Sequence, residues 1–265
     1  MSYAPPTIPP FPELQQKPQA WTARRSNRPV STPAAIPKAR VTRRFEMEWI
    51  YNGEILDNII VAPALPAFEQ AFSAFTHGIL IQTTEGPVAV EDLVPGMLLE
   101  TADGGASQLT WKGAITIVPG APTLSDEPSK LYRVMPDAFG LGRPLQDQTF
   151  GPAARRLNRD PLVRAALGTD KALVPLSAVA DGMGVIEVNP VSPTKVYHLV
   201  CENHETILAA GLEVESFHPG PDMPLSLPAE IVHLFMSFFP HMDGLRDFGR
   251  LNAPRLSEEE FREIF

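Results

Sequence analysis

The residues that could do chemistry in this chain are a few hydroxyl and imidazole side chains. Ser73 and Thr76 carry hydroxyl groups, and His77 could act as the base that a hydroxyl nucleophile needs. Together His77, His198 and His204 offer three imidazoles, a set that can hold zinc. Their spacing matches no metal motif, so the sequence favours structural histidines, with no metal site and no cofactor. Ser73 and Thr76 can also be interpreted as ordinary turn or helix-end residues without a catalytic role.

Other reactive groups indicate structure rather than catalysis. Cys201 is the only cysteine, and it lies in an apolar run without an adjacent base, so we predict a buried small hydrophobic residue. Glu91 and Asp92 follow an apolar stretch and are interpreted as a turn surface. Asp103-Gly104-Gly105 is interpreted as a hairpin turn, because no helix with the Lys-Ser/Thr pair of a phosphate-binding loop follows it.

Charge divides the 265-residue chain into a basic tail and an acidic remainder. Residues 1–44 contain eight Lys or Arg and one acid, a net charge of +7; since the whole chain carries −9, residues 45–265 carry −16. An acidic body disfavours nucleic acid, and the tail lacks the interleaved aromatic residues of a base-stacking surface. We therefore predict no nucleic-acid partner.

Targeting segments are not evident in the sequence. The N-terminus lacks the apolar core of a signal peptide, and no run of apolar residues is long enough for a membrane span. The single cysteine gives no support for an oxidising compartment. A cytoplasmic location is the default prediction, and export without an N-terminal signal stays open.

The first part of the chain changes character at residue 44. Residues 1–40 hold nine prolines, so we predict a basic, Pro-rich, disordered arm over residues 1–43. Apolar residues then alternate with polar ones as far as Asn52-Gly53, a pair typical of a two-residue hairpin turn. A β-hairpin and a short helix over residues 67–74, with Phe68, Phe72 and Phe75 at helical spacing, complete the segment 44–73.

Short apolar strands separated by turns indicate a mainly β body after residue 78. We expect a Pro-containing loop over residues 115–130. Residues 221–265 predict C-terminal helices. The first begins at Pro228 and has an aromatic face, with His233 and His241 at its polar edge, and the second begins with the capping-box spacing Ser257-Glu-Glu-Glu260.

The segment from residue 74 to residue 96 resembles the opening of a Hint domain, the self-processing module of hedgehog proteins and inteins. It begins Ala74-Phe-Thr-His-Gly-Ile-Leu-Ile-Gln-Thr and ends Gly86-Pro-Val-Ala-Val-Glu-Asp-Leu-Val-Pro-Gly96. The bacterial hedgehog/intein-like family has the pattern Cys-Phe-x-x-Gly-Thr-x-Ile-x-Thr, followed by Gly-x-x-x-Val-x-x-Leu-x-x-Gly-Asp. The resemblance extends over residues 74–220 and implies a Hint fold of bent antiparallel strands.

Two later blocks carry the positions that matter for self-processing. Asp147-Gln-Thr-Phe-Gly151-Pro-Ala-Ala154-Arg is similar to the family block Asp-Leu-x-x-Ser-Pro-x-His-Arg. A late block starts at Tyr197-His198 and ends at Glu215-Ser216, where inteins have His-Asn and many bacterial relatives have Glu-Ser. The resemblance therefore maps the family's functional positions onto this chain, as follows: Ala74, Gly151, Ala154, His198, Glu215 and Ser216.

Most of these positions have lost the side chain that self-processing needs. Ala74 stands where a Cys or Ser attacks the preceding carbonyl, and its methyl group has no nucleophilic atom. Ala154 replaces the histidine, and Gly151 replaces its hydroxyl partner. His198 stands where inteins use Asp. These replacements indicate a degenerate, non-enzymatic member of the family.

We therefore predict a protein that has lost self-cleavage and acts as a binding or structural module. A protein partner would contact the basic Pro-rich arm or the aromatic C-terminal helix. The alternative is residual autoproteolysis near residues 73–76 by a substitute nucleophile, Ser73 or Thr76, with His77 or His204 as a weaker candidate base. A nucleophile displaced by one residue would face a different carbonyl, and acyl-shift geometry tolerates such displacement poorly.

Overall fold

The structure is a computed structural model, and it describes residues 41–121, 130–221, 223 and 227–265. The Pro-rich arm predicted over residues 1–43 therefore lies almost wholly outside the described residues. In the described ranges the chain is built mainly from antiparallel strands, as predicted, with a few short helices. None of the helices in these ranges is long and apolar enough to cross a membrane.

An N-terminal β-hairpin precedes the rest of the sheet, which confirms the prediction from Asn52-Gly53. Strand β1 covers Thr42–Tyr51 and β2 covers Glu54–Pro63, and the two turn residues have φ values of 52° and 81°. The other edge of β1 pairs with β7 (Ala106–Ile117). Since every second residue of β1 is buried from Phe45 to Trp49, the hairpin forms one wall of the core.

The helix predicted over residues 67–74 is shorter in the structure. Helix α1 covers Pro66–Gln70, and the following residues form a turn before strand β3, Phe75–Thr76. Phe75 pairs across the sheet with Tyr197 and with Phe150. The helical spacing of the phenylalanines was misleading, because this long-range strand pairing outweighs a weak local helix preference.

The remaining strands form one continuous, strongly bent arrangement. Their bounds are β4 Leu80–Thr83, β5 Gly86–Ala89, β6 Leu98–Glu100, β8 Leu131–Val134, β9 Gln148–Phe150, β10 Arg155–Asn158, β11 Ala172–Pro175, β12 Val185–Val188, β13 Thr194–Cys201, β14 Thr206–Ala209 and β15 Leu212–Glu215. The hydrogen-bonded order is β11-β10-β15-β14-β4-β6-β7-β13-β3-β9-β8-β12. This path places β3 between β13 and β9, and β10 between β11 and β15.

Strand β7 pairs with three other strands among the described residues. It pairs with β6 near its start and with β1 and β13 over the rest of its length. It continues to Ile117, so the loop predicted from residue 115 begins later. Ile115 and Ile117 are buried and pair with β13, which explains why the strand continues. Most of the rest of that loop lies outside the described residues.

Three further α-helices are described. Helix α2 covers Pro161–Leu167, α3 covers Ala229–Met236 and α4 covers Glu258–Ile264, so the predicted C-terminal helices are confirmed. Helix α3 ends before His241, which therefore does not lie on its polar edge. The Ser257 side chain accepts a hydrogen bond from the Glu260 amide, and the Glu260 carboxylate accepts one from the Ser257 amide. This is the reciprocal capping that the sequence predicts at the start of α4.

An aromatic core joins the hairpin, the sheet and the C-terminal segment. Its fully or nearly fully buried rings are Phe45, Phe68, Phe72, Trp111, Phe217, Phe235, Phe238, Phe239 and Phe248. The indole Nε1 of Trp111 donates a hydrogen bond of 2.7 Å to the Phe238 carbonyl. The aromatic face of the C-terminal segment is therefore packed against the chain itself.

Candidate functional site

The peptide junction before β3 is held on both sides by backbone hydrogen bonds. The Ala74 amide donates to the Tyr197 carbonyl at 2.8 Å, and the Ala74 carbonyl accepts from the Gly151 amide at 2.8 Å. The Ser73 carbonyl accepts from the Ala153 amide at 3.0 Å. The turn between β9 and β10 therefore faces the bond that the Hint resemblance marks as the scissile one.

The backbone of Gly151 packs tightly against the Ser73–Ala74 peptide. A Cβ atom added at Gly151 would lie 2.0 Å from the Ser73 carbonyl oxygen and 2.7 Å from the Ser73 carbonyl carbon. Real Cβ atoms do not approach backbone atoms so closely, so only glycine fits without a backbone shift. A hydroxyl-bearing residue has no room at this position in the present arrangement.

The small residues at the junction are buried, and the two alanines offer no reactive group. Ala74 and Ala154 are both fully shielded from solvent. The Ser73 hydroxyl is also buried, and within the described part of the chain it has no hydrogen-bond partner. Ser216, at the end of the late block, is buried as well, and its hydroxyl accepts a hydrogen bond from the Glu205 amide.

The other substitute candidates are engaged elsewhere. The Thr76 hydroxyl donates to the Thr149 carbonyl at 2.5 Å. The His77 ring is largely exposed, and its Nδ1 lies 3.3 Å from a carboxylate oxygen of Glu91. Cys201 is buried in β13, as predicted, and burial raises the pKa of its thiol to about 12.

A cavity of about 230 Å³ opens beside the junction. Pro152 and Ala153 form one side of it, next to the residues that bind the Ser73 carbonyl. Its polar lining is contributed by separate parts of the chain: Gln70 at the end of α1, Arg155 in β10, His198 in β13, Glu215 at the end of β15, His218 just after β15, and Arg255 before α4. We call this cavity the cleft.

Glu215 is the centre of a buried charge network in the cleft wall. One carboxylate oxygen accepts hydrogen bonds from His204 Nε2 at 2.9 Å and from Arg255 Nε at 2.8 Å. The other oxygen lies 3.5 Å from Arg155 Nε. Burial by itself raises the pKa of this carboxyl, but the His204 hydrogen bond and the two arginine charges outweigh it and hold the pKa below its ordinary value. Glu215 is therefore an anion.

Hydrogen-bond partners determine which ring nitrogen carries the proton in the two nearby histidines. The Asn252 amide donates to His204 Nδ1 at 2.9 Å, so the His204 proton lies on Nε2 and points to Glu215. His198 Nδ1 lies 2.9 Å from the Gln70 carbonyl and donates to it, which leaves a lone pair on His198 Nε2. Burial lowers the pKa of His198 to about 4. His198 is therefore neutral at pH 7.

The two arginines of the cleft differ in how their donors are used. Arg255 donates from Nε to Glu215 and from Nη2 to the His218 carbonyl at 2.7 Å. The Arg155 side chain makes no hydrogen bond to any described residue, and about a quarter of it, 27%, is exposed. Burial lowers the pKa of Arg155, but a guanidinium stays charged at any physiological pH. With Glu215 counted, the cleft has a net charge of +1.

Acidification is expected to destabilise the protein through His198. Its folded pKa of about 4 lies below the ordinary 6.5, so between these values the unfolded chain binds a proton that the folded chain does not. The free energy of unfolding is therefore highest above pH 6.5 and falls as the pH drops toward 4, by up to about 1.4 kcal/mol per pH unit for this ring. Urea denaturation at several pH values measures the slope.

The matched variants for this pH experiment are His198→Gln and His233→Gln. The first removes the buried ring and should give a shallower pH dependence than the natural chain. The second removes an exposed histidine of α3 and should leave the slope unchanged. Equal slopes in all three proteins would contradict the prediction.

Sequence reasoning found part of this site and missed the rest. Ala74 and Gly151 lie at the junction, His198 and Glu215 line the cleft, and Ala154 is buried directly before β10 without lining the cleft. Other members had no signal of their own in the sequence, because they lie outside the motif positions and reach the cleft only through folding: Gln70, His218 and Arg255. In the described ranges no group of three His, Cys, Asp or Glu side chains is placed to hold a metal ion.

Comparison with known families agrees with the bent antiparallel sheet and with the position of the junction. A family model described as the Hint domain matches residues 73–221, which is 149 of the 265 residues. The chain therefore belongs to the Hint domain family. The match begins at Ser73, one residue before Ala74, where the Hint-like segment starts. A search of curated proteins found no match to the chain.

Proposed function

We propose that this chain is a Hint domain that does not cleave itself and that uses the cleft to bind a ligand. The observation that carries the proposal is the methyl group at the first position of the domain. An acyl shift needs a thiol or hydroxyl that attacks the preceding carbonyl, and Ala74 supplies neither. The Ser73 carbonyl is instead fixed by the Ala153 amide.

The general-acid function is missing as well. Cleavage needs a proton for the departing amide nitrogen. Ala154 occupies the position of the family's histidine, and its methyl group has no proton to donate. His198 cannot take over this role at neutral pH, because its pKa is lowered to about 4 and its Nδ1 proton is bonded to the Gln70 carbonyl. These features support a Hint domain that retains the fold and has lost the self-cleavage reaction.

The surface through which the protein acts follows from what is exposed. Phe238 and Phe239, just after α3, are buried in the chain's own core, and Phe235 of α3 lines the cleft, so outside the cleft this aromatic segment offers little surface to a partner. The cleft is open and contains Arg155, whose terminal amino groups have no acceptor among the residues that the structure describes. These observations favour the cleft over that helix as the contact surface.

One observation favours a second candidate, which is residual self-cleavage by Ser73. Its hydroxyl is buried at the junction and has no partner among the described residues. As an acyl-shift nucleophile it would attack the carbonyl of Phe72, one peptide bond before the usual one. The proposal of a non-cleaving domain and this alternative predict different fragments.

The purified chain is expected to keep its full mass of 29.0 kDa during long incubation with hydroxylamine or dithiothreitol. These reagents capture an ester or thioester at the junction, and without a nucleophile no such bond forms. Intact-mass spectrometry measures the result. A fragment that begins at Ala74 would contradict the proposal, and one that begins at Ser73 and disappears in Ser73→Ala would establish the alternative.

Ala74→Cys is the informative companion variant. It restores the nucleophile but not the acid at Ala154 or the hydroxyl at Gly151, so we expect it also to remain uncleaved without added thiol. Efficient cleavage of this variant would show that the cleft still contains working self-processing machinery.

A further inference from the structure

The charge of the cleft differs in sign from that of the surrounding protein. Residues 45–265 carry a net charge of −16, yet Arg155, Arg255 and Glu215 leave the cleft at +1. A concave site with one excess positive charge attracts an anion, and its partly buried walls screen that attraction less than open water does. The charge count fits a ligand with a single negative charge better than a doubly charged phosphate.

Arg155 is the residue with capacity to bind this anion. The Glu215 carboxylate is already bonded to His204 and Arg255, and Arg155 Nε stays 3.5 Å away from it. The terminal amino groups of Arg155 have no acceptor among the described residues. A guanidinium edge presents parallel N–H donors, which match the two oxygens of a carboxylate.

The rest of the cleft is suited to a compact ligand with an apolar part. Phe217, Phe235, Pro175 and Pro219 contribute apolar surface. The His198 ring also lines the cleft, and its Nε2 can accept a hydrogen bond. The volume of about 230 Å³ lies below the usual range for drug-sized pockets, so the ligand must be small or must insert only one end.

We propose that the cleft binds a compact organic carboxylate, with the Arg155 guanidinium on the carboxylate and the apolar part of the ligand beside Phe217 and Phe235. This inference rests on the proposed binding role of the cleft. The same chemistry is available from two sources, a free small acid or the C-terminal carboxylate of a peptide whose last residue has an apolar side chain. The structure assigns the recognised group, and experiment separates its sources.

Isothermal titration calorimetry of the full chain tests the proposal. The first probe is benzoate, with benzamide as its uncharged counterpart and inorganic phosphate as a different anion. The second is the tripeptide N-acetyl-Ala-Ala-Phe, with its C-terminal amide as counterpart. We expect one of the two carboxylates to bind at least tenfold more tightly than its amide and than phosphate, and the probe that does so identifies the source.

The variants assign binding to the cleft. Arg155→Gln should weaken carboxylate binding at least tenfold, and Arg155→Lys, which keeps the charge but not the parallel donors, should weaken it less. Arg159→Gln is the matched control, because Arg159 lies just after the same strand but pairs with Glu213 outside the cleft, and it should bind normally. Thermal unfolding of each variant establishes that it is folded, and Arg155→Lys serves if Arg155→Gln is not.

Failure of this inference is distinguishable from failure of the proposed function. An intact chain that binds neither carboxylate at millimolar concentration would overturn the ligand assignment and leave the non-cleaving domain in place. Binding that is unchanged in Arg155→Gln, or equally tight for the amides, would overturn it too. A cleaved chain would refute the non-cleaving role whatever the calorimetry shows.

Discussion

Replacing Gly151 with serine is expected to lower the free energy of unfolding by about 3 kcal/mol or more. Serine is the residue that the family block has at this position, yet here its Cβ would lie 2.0 Å from the Ser73 carbonyl oxygen. Relief requires a shift of the backbone that carries the Ala153–Ser73 and Gly151–Ala74 hydrogen bonds. Urea or guanidinium denaturation measures the loss.

Gly244→Ser is the matched control for this variant. Gly244 has an extended backbone, with φ of −173°, and a Cβ there would meet no atom within 4 Å. Its substitution should change the free energy of unfolding far less. A Gly151→Ser protein as stable as the natural chain would mean that the junction can move aside, and the scissile-bond region would then be adaptable rather than fixed.

Glu215→Ala is the second variant with a large expected effect. It removes the acceptor of His204 Nε2 and of Arg255 Nε, and it leaves Arg155 without its nearest negative charge. Breaking a buried ion pair from one side costs about 3–5 kcal/mol, because the remaining charges stay desolvated. The free energy of unfolding from denaturant titration should fall by that amount.

Glu213→Ala is its control, in the same strand and also paired with an arginine. The pair between Glu213 and Arg159 is more exposed, and exposed ion pairs contribute about 0–1 kcal/mol. Comparable losses in the two variants would show that Glu215 has no special position. A Glu215→Ala protein of unchanged stability would mean that the cleft network does not hold the fold together.

Local patterns were enough to predict the hairpin and the terminal helix. The alternation along β1 and the Asn52-Gly53 turn are set by neighbouring residues, and the structure confirms both. The same holds for the capped start of α4 at Ser257. In each case the information lies within a few residues, where backbone sterics and side-chain caps act.

Errors arose where distant parts of the chain compete with local preference. Phe75 has helical spacing with Phe68 and Phe72, but pairing with Tyr197 and Phe150 places it in a strand. Ile115 and Ile117 lie within the predicted loop, yet they extend β7 because β13 pairs with them. No window of neighbouring residues contains these partners.

The candidate site was also predicted in part, where local motifs identify residues, and missed where distant segments meet. Its first and last positions, Ala74 and Glu215, were found through the resemblance to the Hint domain, and the family match supports that resemblance. The charge network around Glu215 was not predicted, because Arg255 and Asn252 come from a segment after the matched region. The close approach of Gly151 to Ser73 likewise appears only in three dimensions.

The wall of the cleft is composite. The family match ends at residue 221, whereas Phe235 and Arg255 belong to the C-terminal segment that follows it. A hydrogen bond from Trp111 to the Phe238 carbonyl holds this segment against the sheet. Without this C-terminal segment, the charges of Arg155 and Glu215 would cancel, and the cleft would have no net charge. Exchanging the segment that follows the Hint domain would therefore change the charge of this cleft without changing any residue of the domain itself.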